Sequence, residues 1–382
     1  MKYFHVMEQY RERIAESRAQ LLATWQGKNT RPAVIFSDVN YALCGQTDIP
    51  ADYFDPAVML EYQMKKIIQH METIPDDYVP VLHPWYGTTV LPSALGVEVH
   101  YPEGMDPALG AAILEKPEQV YDLKMPDFET DGQCPQVLAC IDYMKAHTDV
   151  PICVTDTQGP LNLALSLAGA VNLFLWFYMA PDAVHHLMGF CTDLLIAWVT
   201  AQKQRAGHQI QGDAYPHAIE MPAQFGGIAF SEDDIVVISM EQYETFVAPY
   251  HERLFQVFGG GSVHFCGSGL HQVASLGALQ NIGAVNNFSM GNFEQIKALQ
   301  KAMEGRGTVM ACDFNGSDIP WHCESLAQLA KTPKGLILGV FFAPTMALLP
   351  DGKYTDSDRS TAQVVGEYLA QFQEKGLLPK DH

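Results

Sequence analysis

Residues 262–344 decide the fold, because four short apolar segments alternate there with sequences of helical pattern. The segments are SVHFCG (262–267), IGAVNNFS (282–289), GTVMACD (307–313) and GLILGVFFAP (335–344). Their length and nearly continuous apolar character are typical of strands that are buried on both faces of a parallel sheet. The intervening sequences place apolar residues at helical spacing, so this region predicts consecutive strand–helix units.

Four further segments extend this pattern toward the N-terminus. They are PAVIFSD (32–38), VPVLHPWYG (79–87), VPICVTD (150–156) and HQIQGDAY (208–215). Eight strands, each followed by a helix or an excursion, predict a (β/α)8 TIM barrel of the α/β class. We expect a single barrel domain over residues 1–382, with an N-terminal helix within residues 1–30 and an excursion over residues 97–135.

The charge of the chain excludes two classes of partner. Its formal net charge is −21, from 44 acidic and 23 basic residues. A nucleic acid or an anionic membrane needs a cationic face, so a small molecule or another protein is the expected partner. The charged N-terminus lacks the pattern of a secretory signal, and the eight cysteines have no framework spacing, which predicts a cytoplasmic protein.

An apolar segment, residues 161–181, raises the question of a membrane span. It carries no charged residue, but Asn162, Asn172 and Pro181 interrupt it, and it lacks basic flanks. We interpret it as a buried helix pair, because a single such segment within a large apolar core does not require a membrane.

His264 and Cys266 end the fifth predicted strand, just before a glycine-containing turn. Residues two apart share one face of a strand, so both side chains can reach the mouth of the barrel. Zinc prefers imidazole and thiolate ligands, and a catalytic zinc site commonly has three protein ligands and one open position. The predicted third ligand is Cys312, with Cys323 as the alternative.

Other chemically active residues lie at or near the predicted strand ends. Asp156, Asp213 and His83 are catalytic candidates, since a charged group at a strand end is costly unless it is paired or used. The candidates for substrate binding are Trp85, Tyr86, Tyr215 and Glu220. Asp213 and Glu220 are also oxygen alternatives for the third metal ligand. We interpret the acidic run at 232–234 as a solvated loop or as a segment that caps a helix.

Three segments resemble the uroporphyrinogen decarboxylase superfamily, and more closely its corrinoid-dependent methyltransferase branch. They are TDTQGPLNLALSLAG (155–169), MAPDAVHHLM (179–188) and SEDDIVVISMEQYETFVAPYHERLFQVFGGGSVHFCG (231–267). The resemblance covers roughly residues 150–345. Its most specific part is the pattern S-x-E-x-Y-x-x-F-V-x-P-Y, which begins at Ser239 and leads to the strand with His-x-Cys.

This resemblance implies a zinc-containing barrel in which His264 and Cys266 take the first two ligand positions. In that branch the third ligand lies in a Gly-Cys-Gly-like segment of the last strand, where this chain has no cysteine at residues 339–342. The implied reaction moves a methyl group between a small-molecule donor or thiol acceptor and the methyl-corrinoid of a partner protein. The arginine motif of the decarboxylases has no counterpart in RPAVIFSDVNYALCG (31–45).

The leading hypothesis is therefore a zinc-dependent methyltransferase that acts with a corrinoid-binding protein. The alternative is a decarboxylase or lyase of the same superfamily, in which Asp156, Asp213 and His83 perform acid–base chemistry on a small carboxylated substrate. A third hypothesis is a non-catalytic binding protein. The sequence leaves the oligomeric state open, and a homodimer is one arrangement compatible with it.

Overall fold

The computed structural model describes residues 3, 5–37, 49–102, 105–207, 212–214, 219–343 and 345–379, and of residues 212–214 it describes the backbone alone. Tyr215 and the side chain of Asp213 therefore lie outside the described residues, and their predicted roles stay predictions.

Helices and short strands alternate along the chain. The strands are β1 (Ala33–Ser37), β2 (Val99–His100), β3 (Ala108–Leu109), β4 (Gly212–Ala214), β5 (Ile219–Met221), β6 (Ile228–Ser231), β7 (Gly261–Cys266), β8 (Ile282–Phe288), β9 (Thr308–Phe314), β10 (Leu336–Phe341), β11 (Met346–Leu348) and β12 (Tyr354–Asp356). The α-helices are α1 (Val6–Gln9), α2 (Arg11–Trp25), α3 (Pro56–Thr73), α4 (Val90–Ala94), α5 (Cys134–His147), α6 (Pro160–Ala168), α7 (Ala170–Met179), α8 (Pro181–Ala206), α9 (Met240–Phe246), α10 (Ala248–Phe258), α11 (Val273–Ala278), α12 (Phe293–Ala302), α13 (Ile319–Leu329) and α14 (Thr361–Glu374).

Six strands form one parallel sheet in the order β1-β10-β9-β8-β7-β6. All residues of β1, β8 and β10 are buried, so these strands are covered on both faces. The helices α1 and α2 precede β1, which confirms the predicted N-terminal helical extension.

Two extended segments, residues 77–83 and 150–158, span the gap between β1 and β6. The first segment donates a backbone hydrogen bond of 2.9 Å to β1. A parallel bridge joins Leu82 of the first segment to Ile152 of the second, and a further parallel bridge joins the second segment to Ser231 of β6. The sheet thus runs through eight parallel segments, and the predicted barrel fold is confirmed.

Prolines explain why these two segments pair through single bridges. Pro80 and Pro151 have no N–H group to donate to a neighbouring strand. The predicted strands at 79–87 and 150–156 therefore have the right place in the barrel, but they are less regular than their apolar pattern indicated.

Of the predicted fourth strand, residues 208–215, the structure describes only residues 212–214, and these do not form a barrel strand. Residues 212–214 form β4, which pairs antiparallel with β5 outside the six-stranded sheet. The fourth barrel strand is β6, where Ser231 pairs with His264 of β7. All four residues of β6 are buried, as a strand between two layers requires, whereas HQIQGDAY is too polar for that environment.

The apolar residues 161–181 form two helices, α6 and α7, which meet at an angle of 105°. Gly169 permits this turn because its φ is 75°. The prediction of a buried pair holds for α6, but α7 exposes Val171, Tyr178 and Met179. Among the described residues, α8 is the one helix that could cross a membrane by length and composition, or one of two if the bent pair counts as a span.

Gly226 tests the position of the fourth strand. It precedes β6 with a φ of +132°, and a Cβ atom there would lie 2.0 Å from the carbonyl carbon of Gly260, just before β7. Replacement of Gly226 by Ala is expected to lower the free energy of unfolding by at least about 2 kcal/mol, measured by urea denaturation. The control is Gly366→Ala in α14, where an added Cβ meets nothing within 4 Å, and it is expected to raise that free energy by about 0.5–1 kcal/mol. Equal stability of Gly226→Ala and the parent protein would contradict this strand arrangement.

Candidate metal centre

Three side chains with metal-binding atoms meet at the C-terminal ends of β6 and β7. Asp233 follows β6 by two residues, and His264 and Cys266 lie on β7. One ligand atom of each lies within 4.8 Å of the other two. The group is at the end of the barrel where enzymes of this fold carry their active sites.

Asn286 on β8 orients His264. The Nδ1 atom of His264 lies 2.6 Å from Oδ1 of Asn286, an arrangement that assigns the proton to Nδ1. Nε2 then directs its lone pair toward the other two groups, 3.3 Å from Sγ of Cys266 and 3.6 Å from Oδ1 of Asp233. A hydrogen bond from the second ring nitrogen is typical of histidines that ligate metals.

Burial sets the protonation states of the group. It lowers the pKa of His264, against a rise caused by Asp233, so the imidazole is neutral, as metal ligation requires. Burial also raises the pKa of the Cys266 thiol, and the Asp233 and Asp313 carboxylates raise it further. A thiolate at this position therefore needs a nearby cation. The side chain of Asp233 is 43% exposed, which leaves the group open on one side. One imidazole, one thiol and one carboxylate fit the ligand preferences of Zn²⁺.

A buried hydrogen-bond network fixes the segment that carries Asp233. The adjacent Glu232 is fully buried, and its carboxylate accepts hydrogen bonds of 2.9 and 3.0 Å from two amides at the N-terminus of α6. Nε2 of His251 lies 3.1 Å from the same carboxylate, and Nδ1 of His251 lies 3.1 Å from the hydroxyl of Tyr243. Of the two interpretations of the acidic run, the solvated loop is thus wrong for Glu232, whose carboxylate caps the start of α6. Oδ1 of Asp233 accepts a hydrogen bond of 2.7 Å from the amide of Cys266, which joins the two strand ends.

The two cysteines predicted as the third ligand lie outside this group. Cys312, near the end of β9, is buried, and its Sγ is 3.5 Å from Nδ2 of Asn286. Cys323 is buried on α13. In the described part of the chain, the ligand atoms gathered around His264 include neither thiol. The structure places Asp233 there, and a ligand role for either cysteine stays a prediction.

The predicted catalytic residues His83 and Asp156 lie at the ends of the second and third barrel segments. Both are buried. Burial lowers the pKa of His83 to about 3, against hydrogen bonds to backbone groups that raise it. His83 is therefore neutral at neutral pH and has no proton to exchange as an imidazolium there. Oδ1 of Asp156 lies 3.4 Å from Nε2 of Gln158. Neither residue belongs to the group around His264, and their catalytic roles stay predictions.

Three of the predicted substrate-binding residues make contacts elsewhere. Nε1 of Trp85 donates a hydrogen bond to Asp106, and the hydroxyl of Tyr86 donates one of 3.1 Å to a backbone carbonyl. Glu220 on β5 forms an ion pair of 2.9 Å with Arg18 of α2. Trp85 is buried with its ring 5.3 Å from that of His83, and Tyr86 is buried with its ring 5.7 Å from that of Phe54. A role of Trp85, Tyr86 or Glu220 toward substrate stays a prediction.

An aromatic wall borders the candidate metal centre on the side of β8 to β10, and sequence reasoning missed it. The wall consists of Phe288, Phe314, Phe341 and Tyr354. The ring centroid of Phe288 lies 5.9 Å from that of His264. The three phenylalanine rings lie 5.2, 5.8 and 5.4 Å from one another, and Tyr354 lies 5.4 Å from Phe314. The sequence contained one signal for this wall. Phe288 lies two positions after Asn286 on β8, and residues two apart point to the same face of a strand.

The basic residues near β1 lie at the other end of the barrel. Arg31 precedes β1 and donates hydrogen bonds of 2.6 and 2.7 Å to the carboxylate of Asp77. With Arg13 and Asp76 it lines a cleft of about 850 Å³. Because this cleft is at the N-terminal end of the strands, Arg31 cannot contact a substrate bound at the candidate metal centre.

A barrel with such a group of ligand atoms at the C-terminal ends of its strands is an enzyme architecture. The sequence model of the Uroporphyrinogen decarboxylase (URO-D) family matches residues 44–311. The chain therefore belongs to this family, which confirms the resemblance noted in the sequence.

Curated relatives agree with this assignment, and a solved structure shares the fold. The chain is 27% identical over 184 residues to the uroporphyrinogen decarboxylase of Xylella fastidiosa. The matched region covers 46% of this chain and 46% of the relative. The chain is 25% identical over 179 residues to that of Xanthomonas campestris pv. campestris, 45% of each chain. The chain thus spans about half the length of the curated relatives it matches. A methyltransferase from Methanosarcina mazei has the same fold, with a TM-score of 0.66 and 15% identity over 94% of this chain and 98% of that chain.

Proposed function

We propose that this protein is a zinc-dependent methyltransferase of the cytoplasm that moves a methyl group between a small molecule and the corrinoid of a partner protein. The observation that carries the proposal is the group formed by Asp233, His264 and Cys266, with Asn286 holding the imidazole. Three protein ligands and one open side are typical of catalytic zinc sites, whereas structural sites are closed by four ligands. The similarity to a solved methyltransferase supports the same direction.

The residues around the group have distinct roles in this proposal. Bound zinc would supply Lewis acidity, which lowers the pKa of a thiol or polarises a methylated heteroatom. Asn286 keeps Nδ1 of His264 protonated, so that Nε2 is free to ligate. Glu232, through α6 and His251, holds the backbone that presents Asp233. Asp156 and Asp213, which the sequence offers as catalytic candidates, would orient the substrate or act as hydrogen-bond partners of the histidine.

Three features argue against decarboxylation of a polyanionic substrate at this end of the barrel. His83 is neutral, since burial lowers its pKa to about 3. Arg31 is engaged with Asp77 at the opposite end. The Asp233 carboxylate lies 3.6 Å from Nε2 of His264 and is partly exposed, so it would repel the carboxylates of such a substrate.

Methyl transfer can be tested with methylcobalamin as a substitute for the corrinoid of the partner. Zinc-loaded protein is incubated under anaerobic conditions with methylcobalamin and three thiols that differ in charge: cysteamine, 2-mercaptoethanol and 3-mercaptopropionate. We expect thioether formation at least about a hundredfold above the rate without protein for one or more thiols, because a metal ion stabilises the developing charge by several kcal/mol. A metal chelator should abolish this rate. Background rates with all three thiols would contradict the proposal.

A further inference from the structure

The charged side chains that act on the mouth of the candidate metal centre are acidic. Oδ1 of Asp233 lies 3.6 Å from Nε2 of His264, and the Asp313 carboxyl, near the end of β9, accepts hydrogen bonds from the hydroxyl of Ser289 and the amide of Met290. In the described part of the chain, neither of these two carboxyl groups forms an ion pair with a lysine or an arginine. An anionic head group would therefore find no basic side chain of the described residues as its counter-ion there.

Basic residues that are close in sequence to the aromatic wall or to the ends of the barrel strands do not supply such a counter-ion. Lys353, next to the aromatic wall in sequence, is 78% exposed and forms an ion pair of 3.0 Å with Asp351. The segments 38–48, 208–211 and 215–218, which follow β1 and flank β4, contain no lysine or arginine in their sequences. By sequence alone, these three segments therefore supply no lysine or arginine that could hold a sulfonate or carboxylate.

The aromatic wall offers a surface for the opposite charge. Phe288 and Phe341 are buried, whereas Phe314 and Tyr354 are partly exposed, so the wall reaches the solvent at one edge. The rings stand nearly perpendicular, with interplanar angles of 78° between Phe314 and Phe341 and 90° between Phe314 and Tyr354. Ring faces are therefore directed to different sides, and the face of an aromatic ring attracts an ammonium group.

Tyr354 adds a polar contact to the wall. Its hydroxyl oxygen is buried and has no hydrogen-bond partner within the described chain. The hairpin of β11 and β12 holds it in place, because Leu348 of that hairpin pairs with Gly316 after β9. A buried hydroxyl without a partner costs free energy that a ligand oxygen would recover.

We propose that the small-molecule substrate of this protein is a cation, whose alkylammonium group lies against the aromatic wall while its methyl-accepting or methyl-donating atom faces His264 and Cys266. The contact of the reacting atom with His264 and Cys266 rests on the proposed function. The contact of the ammonium group with the aromatic wall rests on the rings and on the acidic surroundings alone.

Choline and its uncharged isostere 3,3-dimethylbutan-1-ol test the inference, since they differ in the charge of one atom. Binding of each to the full-length protein is measured by isothermal titration calorimetry. We expect choline to bind at least about tenfold more tightly, and Phe341→Leu or Phe314→Leu to reduce this preference by about fivefold or more. Tyr178→Leu on the exposed face of α7 should leave the preference unchanged. Unchanged zinc content in Phe341→Leu shows that the variant is folded.

The outcomes separate this inference from the proposed function. Equal binding of choline and its isostere, or a preference that survives both Phe341→Leu and Phe314→Leu, overturns the inference. If the protein methylates thiols but binds choline and its isostere equally, the inference is overturned and the proposed function stands. If the protein prefers choline but thioether forms only at the rate seen without protein, the cation-binding site stands and the proposed function is overturned.

Discussion

Replacement of His264 by Ala or of Cys266 by Ser is expected to remove zinc and methyl transfer together. Each variant deletes one of the ligand atoms that lie within 4.8 Å of one another. Loss of a hydrogen-bond partner of a ligand already costs about 10- to 100-fold in metal affinity, so loss of a ligand should cost at least about 100-fold. Zinc content of the purified variants, measured by mass spectrometry, should fall from one per chain to a trace, and the rate with methylcobalamin should fall to background.

A matched control for these variants is Cys323→Ser. This thiol is buried on α13 and does not belong to the group around His264. Zinc content and methyl transfer should therefore be those of the parent protein. One zinc per chain in both His264→Ala and Cys266→Ser would refute the metal centre, and loss of zinc in Cys323→Ser would move the third ligand to α13.

Replacement of Asp233 by Asn is expected to weaken zinc binding by at least about tenfold, while Cys312→Ser should retain it. The reason is geometric. Oδ1 of Asp233 lies 3.6 Å from Nε2 of His264, whereas the Cys312 thiol contacts Nδ2 of Asn286. Affinity is measured by competition with a zinc indicator.

Asp234→Asn is the control for Asp233→Asn, because Asp234 is the next carboxyl along the chain and lies outside the group of ligand atoms. Its zinc affinity should match that of the parent protein. The reverse pattern, in which Cys312→Ser loses zinc and Asp233→Asn keeps it, would return the third position to the cysteine that the sequence predicted.

The C-terminal half of the barrel was predictable from sequence because its strands are apolar and uninterrupted. The segments near 263, 284, 309 and 337 match β7 to β10 within two or three residues at each end. Segments 79–83 and 150–158 were located but not recognised as irregular, since the effect of Pro80 and Pro151 on pairing depends on neighbours that the sequence does not show.

The prediction of the fourth barrel strand was wrong for a different reason. The segment that forms β6 is only four residues long and directly follows Gly226 and Gly227, so its apolar run was read as part of a loop. The polar segment 208–215 took its place in the count of eight. The prediction therefore placed the end of the fourth strand at Asp213 instead of Ser231, and Asp233 was not considered as a ligand.

The site was predicted in part for related reasons. The spacing of His264 and Cys266 reveals that they share a strand face, which is a local property. The position of Asp233 depends instead on the register between β6 and β7 and on the burial of Glu232 at the start of α6. These are long-range contacts, and an acidic run alone does not distinguish a buried carboxylate from a solvated one.

X-ray absorption at the zinc edge tests the central claim most directly. The protein is purified without added thiols, so that every sulfur ligand comes from the chain. Ligation by Asp233, His264 and Cys266 predicts one sulfur at about 2.3 Å and nitrogen or oxygen neighbours at about 2.0–2.2 Å. Two sulfur ligands, or a protein that binds no zinc, would contradict the account.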